Sequence, residues 1–394
     1  MKGKKQQSYV KRGFTMFLSL AVCLSGISWV PAEGTTAKAA GSQIEIASAS
    51  DLALIGKDAA HPMNGDYILT KDIDLSGTPW TPIGGAGGPE YCLVTGDRVF
   101  NGTFDGQGHV IDGLTIQADG SQSGYSKNQS GLFAMIGSDD ANDYAEVKNI
   151  VFSNVSISHT LGGGDSIGTL AADVNGYAKV DNIAVISGNV SASVSSGGCD
   201  LVGMGGIAGQ TRNNSQAVQL TNLYNAATVT LNGNPGTLSR CGGILGRIHQ
   251  AATIGALSSC LNVGTVTSNG QQGYAINGID VLNNASPSST KNIENCYFLD
   301  TTGKGTTAVT SLSESDLASE SVKDTLGSEY WMISKTGQIM PVVTEGKIVI
   351  PIPSPIFAEG DRASSVTQNF TLPLSFEGEN GTETITWTLS LIHI

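Results

Sequence analysis

Acidic residues and a histidine of the kind that catalyse hydrolysis lie close together in FNGTFDGQGHVIDGLTI, residues 100–116. The stretch holds Asp105, His109 and Asp112, and Asp72 and Asp74 precede it. Hydrolysis of a glycosidic bond needs two carboxyl groups, one on each side of the bond. A polysaccharide lyase needs acidic Ca²⁺ ligands and a basic residue that removes a proton. These residue types are therefore compatible with carbohydrate-cleaving chemistry.

A structural role explains the same residues more simply. Aspartate near glycine is typical of turns, where glycine supplies positive φ and the carboxylate accepts backbone N–H groups. Basic residues are scarce, since Arg98 is the only Lys or Arg between residues 72 and 116. We therefore predict that Asp105 and Asp112 hold turns, that His109 is exposed beside one, and that no residue is catalytic. The side chains expected in the core are Phe104, Val110, Ile111, Leu114 and Ile116.

The other residues with chemical potential form no recognised motif. No H-E-x-x-H metallopeptidase sequence occurs, and the glycine-rich segments 84–90 and 161–165 lack the lysine of a phosphate-binding loop. The acidic segment GSDDAND, residues 137–143, lacks EF-hand spacing, so a solvated loop is favoured over a Ca²⁺ site. We assign no metal ligand and no cofactor, with Ca²⁺ left open. The residues weighed were Asp139, Asp140, Asp143, His61, His109, His159 and His249.

An internal repeat must position all of these side chains. Four segments share a glycine followed by an apolar residue, and a looser fifth copy covers 273–280. A fixed period of this kind is typical of solenoids, in which each repeat stacks on its neighbour. The copies are SGLFAMIG (130–137), SIGTLAAD (166–173), GGIAGQT (205–211) and GGILGRI (242–248). Their apolar residues, each 37 positions apart, are Phe133, Leu170, Ile207 and Ile244.

Each copy is followed by a second run that has the composition of a β-strand. The runs are short, rich in Val, Ile and Thr, and bounded by Gly, Asn and Ser. Short strands cannot bury their own apolar face, so stacking at the usual strand spacing of ~4.8 Å predicts a parallel β-helix. The runs are residues 147–157, 180–192, 220–231, 254–267 and 290–300.

Asparagine recurs within these runs and suits their corners. Asparagine tolerates left-handed backbone geometry and can form side-chain ladders along a stack. A row of asparagines lining a sugar-binding groove is the less favoured alternative. The recurring residues are Asn149, Asn182, Asn222 and Asn292.

The cysteines fit the same repeat. Cys260 and Cys296 align with Ile150, Ile183 and Leu223, so we expect reduced thiols in the core. The spacing of adjacent coils would also permit a disulfide. No C-x-x-C occurs, which argues against zinc. The five cysteines that follow residue 39 are Cys92, Cys199, Cys241, Cys260 and Cys296.

Segments outside the repeat have separate roles. Residues 1–39 combine a basic start, an apolar stretch and the cleavage-site pattern Ala37-Lys38-Ala39, which together predict a cleaved secretory signal. No later stretch is long and apolar enough to span a membrane. Residues 48–58 and 313–326 begin like capped helices and are predicted to lie near the two ends of the solenoid. Residues 346–361 resemble a proline-rich linker.

The last residues, LSLIHI (389–394), match the translation of a transposase mosaic end used in sequencing libraries. We therefore expect an adapter artefact here and a natural protein that continues beyond Thr388. An open reading frame that stops naturally after residue 394 would contradict this expectation.

The charge balance limits the class of partner. Residues 1–39 hold six Lys or Arg and one acid, which leaves 15 basic and 33 acidic residues and a net charge of −18. Such a chain would be repelled by nucleic acid and by anionic lipid. The balance is typical of an extracellular protein.

The segments GDYILTKDIDLSGTPWTPIG (65–84) and 100–116, with the glycine–leucine and glycine–isoleucine repeats that follow, resemble bacterial surface proteins carrying GLUG motifs. The resemblance implies an all-β, right-handed parallel β-helix over residues 40–345 with short capping helices. Residues 324–343 are similar to the segment that closes such units. Residues 362–388 look like the truncated start of a bacterial Ig-like domain, a β-sandwich.

We therefore predict a secreted or cell-surface module of a bacterium, in a Gram-positive cell wall. We expect it to serve adhesion, scaffolding or binding to cell-wall glycans, host glycans or extracellular matrix. The alternatives are a carbohydrate-active β-helix enzyme, or the N-terminal part of a larger surface enzyme such as a peptidase. Binding residues are unassigned, and exposed aromatic rings could stack on sugars. The aromatic candidates are Trp80, Tyr91, Tyr125 and Tyr177, with Trp80 expected to be buried.

Overall fold

The computed structural model describes most of the chain between residues 43 and 347. All described residues belong to one compact unit, residues 38–394. The described ranges are 43–84, 98–118, 129–161, 166–199, 203–211, 217–235, 240–248, 254–269, 271–276, 292–306, 308–347, 375–378 and 381–384.

Short strands dominate the described residues, as the Val-, Ile- and Thr-rich runs predict. The first strands are β1 (Ile44–Ile46), β2 (Asp66–Leu69), β3 (Ile73–Asp74), β4 (Thr103–Asp105), β5 (Val110–Asp112) and β6 (Thr115–Ala118). The next are β7 (Gln129–Ser130), β8 (Phe133–Ser138), β9 (Ala145–Ser153), β10 (Val155–Leu161), β11 (Ser166–Ile167), β12 (Ala171–Gly176), β13 (Ala178–Val185) and β14 (Gly188–Cys199). Then follow β15 (Gly203–Gly205), β16 (Ala208–Thr211), β17 (Val218–Asn225), β18 (Thr228–Pro235), β19 (Arg240–Gly242), β20 (Leu245–Ile248), β21 (Ala256–Asn262), β22 (Val266–Ser268) and β23 (Gln271–Gln272). The last are β24 (Ile293–Leu299), β25 (Val309–Leu312), β26 (Trp331–Ile333), β27 (Ile339–Pro341), β28 (Ser375–Gly378) and β29 (Gly381–Thr384).

Four long sheets run along the stack, and together they form a parallel β-helix of about four turns. A typical turn contributes one strand to each sheet, for example β11, β12, β13 and β14 in succession. The first sheet has the order β1-β2-β4-β9-β13-β17-β21-β24-β25, with β3 and β5 joined beside it. The others have the orders β23-β22-β18-β14-β10-β6, β19-β15-β11-β7 and β20-β16-β12-β8. The predicted fold class is confirmed.

The apolar residue after each repeated glycine forms a backbone ladder through the stack. Each N–H group donates to the carbonyl one coil further on, at 2.9 to 3.1 Å, and every side chain of the row is buried. Strand pairing follows the 37-residue spacing between Ala171 and Ala208. In the preceding coil Ala171 pairs with Phe133, 38 residues earlier, so the register of β8 with β12 is shifted by one residue. The ladder runs from Phe133 through Leu170, Ile207 and Ile244 to Ile276, which confirms the stacking of all five copies.

The repeated glycine is needed because chains approach closely at this corner. A β-carbon at Gly206 would collide with the carbonyl oxygen of Gly243 and would lie 2.6 Å from Asn225 Cγ. Asn225 is itself fully buried, and its Nδ2 donates to Asn262 Oδ1 at 2.8 Å. A glycine therefore leaves room for an internal asparagine ladder between adjacent coils.

The predicted corner asparagines adopt left-handed geometry. Asn149, Asn182 and Asn222 have φ between 54° and 57° and lie at equivalent positions of β9, β13 and β17. Asn182 Nδ2 donates to Asn149 Oδ1 at 2.8 Å. Asn292 is also left-handed but lies outside this row, because the pairing of Cys260 with Cys296 assigns the ladder position to Asn295. The alignment of Asn292 with the other three is therefore wrong by three residues.

The core contains the thiols predicted there. Ile150, Ile183, Leu223, Cys260 and Cys296 occupy one inward row, and all are buried. Cys260, Cys296 and Cys241 are free thiols. Burial raises the pKa of Cys241 to about 12, so the thiol stays protonated at neutral pH. Cys92 and the side chain of Cys199 lie outside the described residues.

Hydrogen bonds between polar side chains link the two four-stranded sheets, which the sequence did not predict. Asp173 Oδ2 accepts from Gln129 Nε2 at 2.6 Å, and Oδ1 accepts from Ser166 Oγ at 3.2 Å. Gln210 Nε2 also donates to Ser166 Oγ. Asp173, Ser166 and Gln210 are almost fully buried, so these bonds compensate the cost of removing polar groups from water.

The N-terminal helix covers the first end of the core, as predicted. Helix α1 spans Ala49–Leu54, and Ser48 Oγ accepts a hydrogen bond from Asp51 N–H at 3.2 Å. Leu52 and Ile55 are buried in the main core cluster. The capping sequence therefore places an amphipathic turn of helix over the apolar end of the stack.

The C-terminal segment, residues 313–347, lies along the outer surface of the first sheet. It contains a 3₁₀ helix at Glu314–Ala318, helix α2 at Glu320–Leu326, the hairpin β26–β27 and a 3₁₀ helix at Val342–Thr344. Its apolar side chains, among them Trp331 and Met340, form a second buried cluster. They pack against a row of side chains that point outward from the first sheet, one from each successive coil. The predicted single helix 313–326 is thus two helices, divided at Ser319, and they pack on the outward face of the first sheet instead of closing the end of the core. The outward row is Val110, Val151, Ala184, Tyr224, Leu261 and Tyr297.

Val110 differs from the expectation for residues 100–116. Phe104, Ile111, Leu114 and Ile116 enter the main core, whereas Val110 packs in the outer cluster beneath the C-terminal segment. Strand alternation places Val110 and Ile111 on opposite faces of the sheet, and both faces are covered here.

Several predicted segments have little or no structural description. The signal segment 1–39 and residues 389–394 lie outside the described residues, as does the linker apart from its first residues. The predicted Ig-like start, residues 362–388, is described only as the antiparallel hairpin of β28 and β29. Among the described helices, none has both the length and the apolar character required to cross a bilayer.

Candidate functional site

Asp105 holds a turn. Its Oδ1 accepts from Gln107 N–H and from Asn149 Nδ2, both at 2.9 Å. Gln107 and Gly108 follow with φ of 51° and 73°. The carboxylate therefore closes the turn and begins the corner ladder, as the structural interpretation predicts.

Asp112 and Asp74 lie at paired positions on adjacent coils, but Asp74 closes a local turn whereas Asp112, contrary to the prediction, links two coils through side chains. Asp112 Oδ1 accepts from Ser153 Oγ at 2.5 Å and from Asn154 Nδ2 at 2.7 Å. Asp74 Oδ1 accepts from Ser76 N–H at 2.8 Å. Asp74 also lines a groove described below.

Asp72 and His109 form a pair that the sequence analysis did not predict, although they are 37 residues apart, the spacing of the repeated apolar residues. Asp72 Oδ1 lies 2.9 Å from His109 Nδ1 and accepts from Val110 N–H at 2.9 Å. Lys347 Nζ lies beside Gly108, 3.4 Å from where a β-carbon would stand. His109 thus contacts Asp72 from the preceding coil, and neither Asp105 nor Asp112 is its hydrogen-bond partner.

The electrostatics of this group are mutually dependent. Burial alone would raise the pKa of Asp72, but the bonds from Val110 and His109, with the charges of His109 and Lys347, lower it overall. Burial lowers the pKa of Lys347, and the charge of Asp72 opposes that shift. The group lies on an exposed surface, where 64% of the Asp72 side chain is accessible to solvent.

The acidic segment 137–143 contains the end of β8 at Ser138 and then forms a turn with its own backbone. Asp140 Oδ1 accepts from Asn142 N–H at 2.8 Å, and Asp143 N–H donates to the Asp140 carbonyl at 3.2 Å. Within the described ranges, no three His, Cys, Asp or Glu side chains group as metal ligands.

A groove lies between α1 and the segment 74–83 at the N-terminal end of the solenoid. It encloses about 480 Å³ and combines hydroxyl groups, one carboxylate, one amine and an indole. We call it the Trp80 groove. Its lining residues are Ala49, Ser50, Ala53, Ile55, Lys57, Asp74, Leu75, Ser76, Thr78, Pro79, Trp80, Thr81, Pro82 and Ile83.

Trp80 is fixed in place by the coil beneath it. Its Nε1 donates to the Leu132 carbonyl at 3.1 Å, and its backbone N–H donates to the Thr115 carbonyl at 2.6 Å. The ring is half-buried against the core, which is less burial than the sequence analysis expected. A fixed, partly exposed indole offers an apolar surface to a ligand at little entropic cost.

A second groove adjoins the Trp80 groove at Lys57. It encloses about 510 Å³ and is more open to solvent. Lys57 is exposed and lines both grooves, and no described residue forms an ion pair with it. The lining residues of this second groove are Gly56, Lys57, Asp58, Pro62, Met63, Asn64 and Asn101.

The carboxylates beside these grooves are ionised at neutral pH. Hydrogen bonds from Ser76 lower the pKa of Asp74. The side-chain hydrogen bond with His61, at 2.8 Å, and the N–H groups of Ala60 and His61 lower the pKa of Asp58. Each groove therefore contains one anionic hydrogen-bond acceptor, with the ammonium group of Lys57 between them.

Tyr177, the other aromatic candidate that the structure describes, lies in a different environment. Tyr177 packs edge-on against Tyr144 with ring centroids 5.4 Å apart, and Lys179 Nζ lies 4.7 Å from the Tyr144 centroid. Tyr91 and Tyr125 lie outside the described residues. The sequence signal for the groove was the cluster of proline, threonine and tryptophan in TPWTPIG, which sequence reasoning did not recognise as a binding site.

Comparison with known proteins gives one limited sequence match. The chain is 31% identical over 173 residues to Halomucin of Haloquadratum walsbyi, a match that covers 43% of this chain and 2% of Halomucin. A solved structure of a candidate immunoglobulin A1 protease from Bacteroides ovatus superposes with a TM-score of 0.47 at 18% identity, over 76% of this chain and 92% of that one. No family model matches.

Proposed function

We propose that this chain is a non-catalytic β-helix module of a secreted or surface-displayed protein that binds glycans. The observation that carries the proposal is the Trp80 groove, where a fixed indole lies among hydroxyl groups and a carboxylate. Sugars present apolar ring faces and many hydroxyl groups, so both kinds of lining are matched. The GLUG-type resemblance and the partial match to Halomucin support a location at the cell surface.

Blocking the groove tests this function without removing a core contact. Ala53 is exposed on α1 and lines the groove, whereas the neighbouring Leu54 is exposed but does not line it. We expect Ala53→Arg to abolish binding on an array of cell-wall, host and matrix glycans, and Leu54→Arg to preserve it. Equal binding by both variants, with unchanged thermal melting, would contradict the site.

Asp74 offers a milder test of the same groove. Asp74→Asn keeps an oxygen for the turn bond to Ser76 but removes the anionic acceptor. Hydrogen bonds to charged groups contribute more free energy than hydrogen bonds between neutral groups, so we expect the affinity for glycan to fall about tenfold. Binding titrations with array-selected glycans measure this change.

One observation favours a second candidate function, carbohydrate cleavage. The grouping of Asp72, His109 and Lys347 brings a carboxylate, an imidazole and an amine with a lowered pKa to one surface. A depolymerase screen with added Ca²⁺ separates the two functions. Turnover that Asp72→Asn abolishes and Asp105→Asn retains would favour the enzyme.

A further inference from the structure

The two grooves that meet at Lys57 suggest a longer ligand than one sugar ring requires. Each encloses roughly 500 Å³, and they adjoin at the exposed end of α1. The lining changes from an indole with hydroxyl groups to the amides of Asn64 and Asn101. This succession resembles neighbouring subsites, one for ring stacking and the next for hydrogen bonding to hydroxyl groups.

The loop between the grooves has a fixed shape. Gly56 N–H donates to the His61 carbonyl at 2.6 Å, and Tyr67 OH donates to the Pro62 carbonyl at 2.7 Å. Met63 packs against the main core, and its carbonyl accepts from Asn101 N–H at 3.1 Å. A ligand that crosses this loop therefore meets a surface that needs no ordering on binding.

The charges indicate which polymers fit. Asp74 faces one groove and Asp58 the other, and Lys57 is the one cationic side chain among the lining residues of the two grooves. Two carboxylates flanking one ammonium group repel a chain that carries a negative charge on every unit. The net negative charge of residues 40–394 also repels an anionic polymer, at longer range.

We propose that the two grooves form one continuous site for a neutral oligosaccharide that passes over Lys57, with its first ring against Trp80. This inference rests on the proposed glycan-binding function and adds the length and charge class of the ligand. Carboxylates accept hydrogen bonds from sugar hydroxyl groups, and the lysine donates to them.

Titration with oligosaccharides of increasing length tests the proposal. The probes are cello-, xylo-, manno- and N-acetylchito-oligosaccharides of one to six units, with oligogalacturonates as the acidic counterpart. For at least one neutral series we expect affinity to rise at least tenfold from the shortest to the longest member, and to exceed that for oligogalacturonate of equal length.

Variants of the residues that line the second groove test whether the gain in affinity with oligosaccharide length comes from that groove. Asn101→Ala should reduce hexasaccharide affinity at least fivefold while changing disaccharide affinity less than twofold, whereas Lys57→Ala, at the residue that lines both grooves, should weaken the binding of both. Lys71→Ala, at an exposed lysine that lines neither groove, is the matched control. Thermal melting of each variant excludes loss of folding as the cause.

The outcomes separate the two proposals. Binding that is independent of length, or stronger for oligogalacturonate, overturns the continuous neutral site but leaves the Trp80 groove as a glycan site. Absence of binding to every series overturns both.

Discussion

His159 lies on the inner side of β10, with its Nδ1 2.9 Å from Ser130 Oγ. Its ring is 2% exposed, and its Nε2 has no hydrogen-bond partner among the described residues. Burial lowers the pKa of His159 from 6.5 to about 4, because a charged imidazole would lose its hydration in the apolar core. The residue is therefore a neutral core histidine.

This burial predicts acid sensitivity. As the pH falls from about 6.5 to 4, the unfolded chain binds a proton at His159 that the folded chain does not, so the free energy of unfolding should fall by up to about 3 kcal/mol. We expect His159→Gln to lose this part of the pH dependence and the more exposed His109→Gln to keep it. Denaturant unfolding at pH 7 and pH 4.5 measures both, and equal slopes for the two variants would contradict the assignment.

Residue types alone gave the correct role for Asp105, because turn chemistry is local. Asp112 instead accepts from the side chains of Ser153 and Asn154 on the next coil, which local turn chemistry does not predict. The partner of His109 was missed, since Asp72 becomes its neighbour only when two coils stack. Lys347 is more distant still, and the C-terminal segment must fold along the sheet before it lies beside Gly108.

At the scale of the element, the left-handed corners determine the shape of each coil. Asn149, Asn182 and Asn222 bend their strands at equivalent positions, and their amides link adjacent coils. Serine takes the same geometry at Ser259. Recurrence of asparagine was visible in the sequence, but the register of the last copy was not, because both Asn292 and Asn295 fit a loose alignment.

Substitution at Asn182 separates backbone geometry from side-chain bonding. Asn182→Ala loses the bond to Asn149 and also places an alanine, whose β-carbon disfavours left-handed geometry, at φ 55°. Asn182→Gly loses only the bond, because glycine adopts this geometry freely. We expect the alanine variant to be less stable than the glycine variant by about 1–2 kcal/mol. Urea denaturation measures the difference, and equal stability would show that the corner carries no backbone strain.

For the whole molecule, the C-terminal segment decides which sheet surface meets solvent. The outward row on the first sheet would expose an apolar stripe across successive coils if residues 313–347 did not cover it. Tyr224 is central to this contact, with its ring centroid 6.4 Å from that of Trp331 and its OH 3.9 Å from Met340 Sδ.

Removal of this ring should loosen the cover. We expect Tyr224→Ala to lower the free energy of unfolding by about 3–5 kcal/mol, the usual range for a buried aromatic residue, and to speed proteolysis within residues 313–347. Tyr144→Ala, at a half-exposed tyrosine, is the control. Unchanged cleavage in the Tyr224 variant would show that the segment is held independently of this contact.

The sequence by itself determined the repeat, the parallel β-helix, the corner asparagines and the buried row that includes Cys260 and Cys296. These features recur once in each coil, and the runs of similar composition align them although the row from Ile150 to Cys296 has separations of 33 to 40 residues. Tertiary structure alone decided the pairing of Asp72 with His109, the cover over Tyr224 and the grooves beside Trp80. The cover and the grooves join segments outside the repeat, so their contact depends on how the ends of the chain pack on the stacked coils. Asp72 and His109 are 37 residues apart, but they precede the recognised repeat copies, so only the stacked structure gave their register.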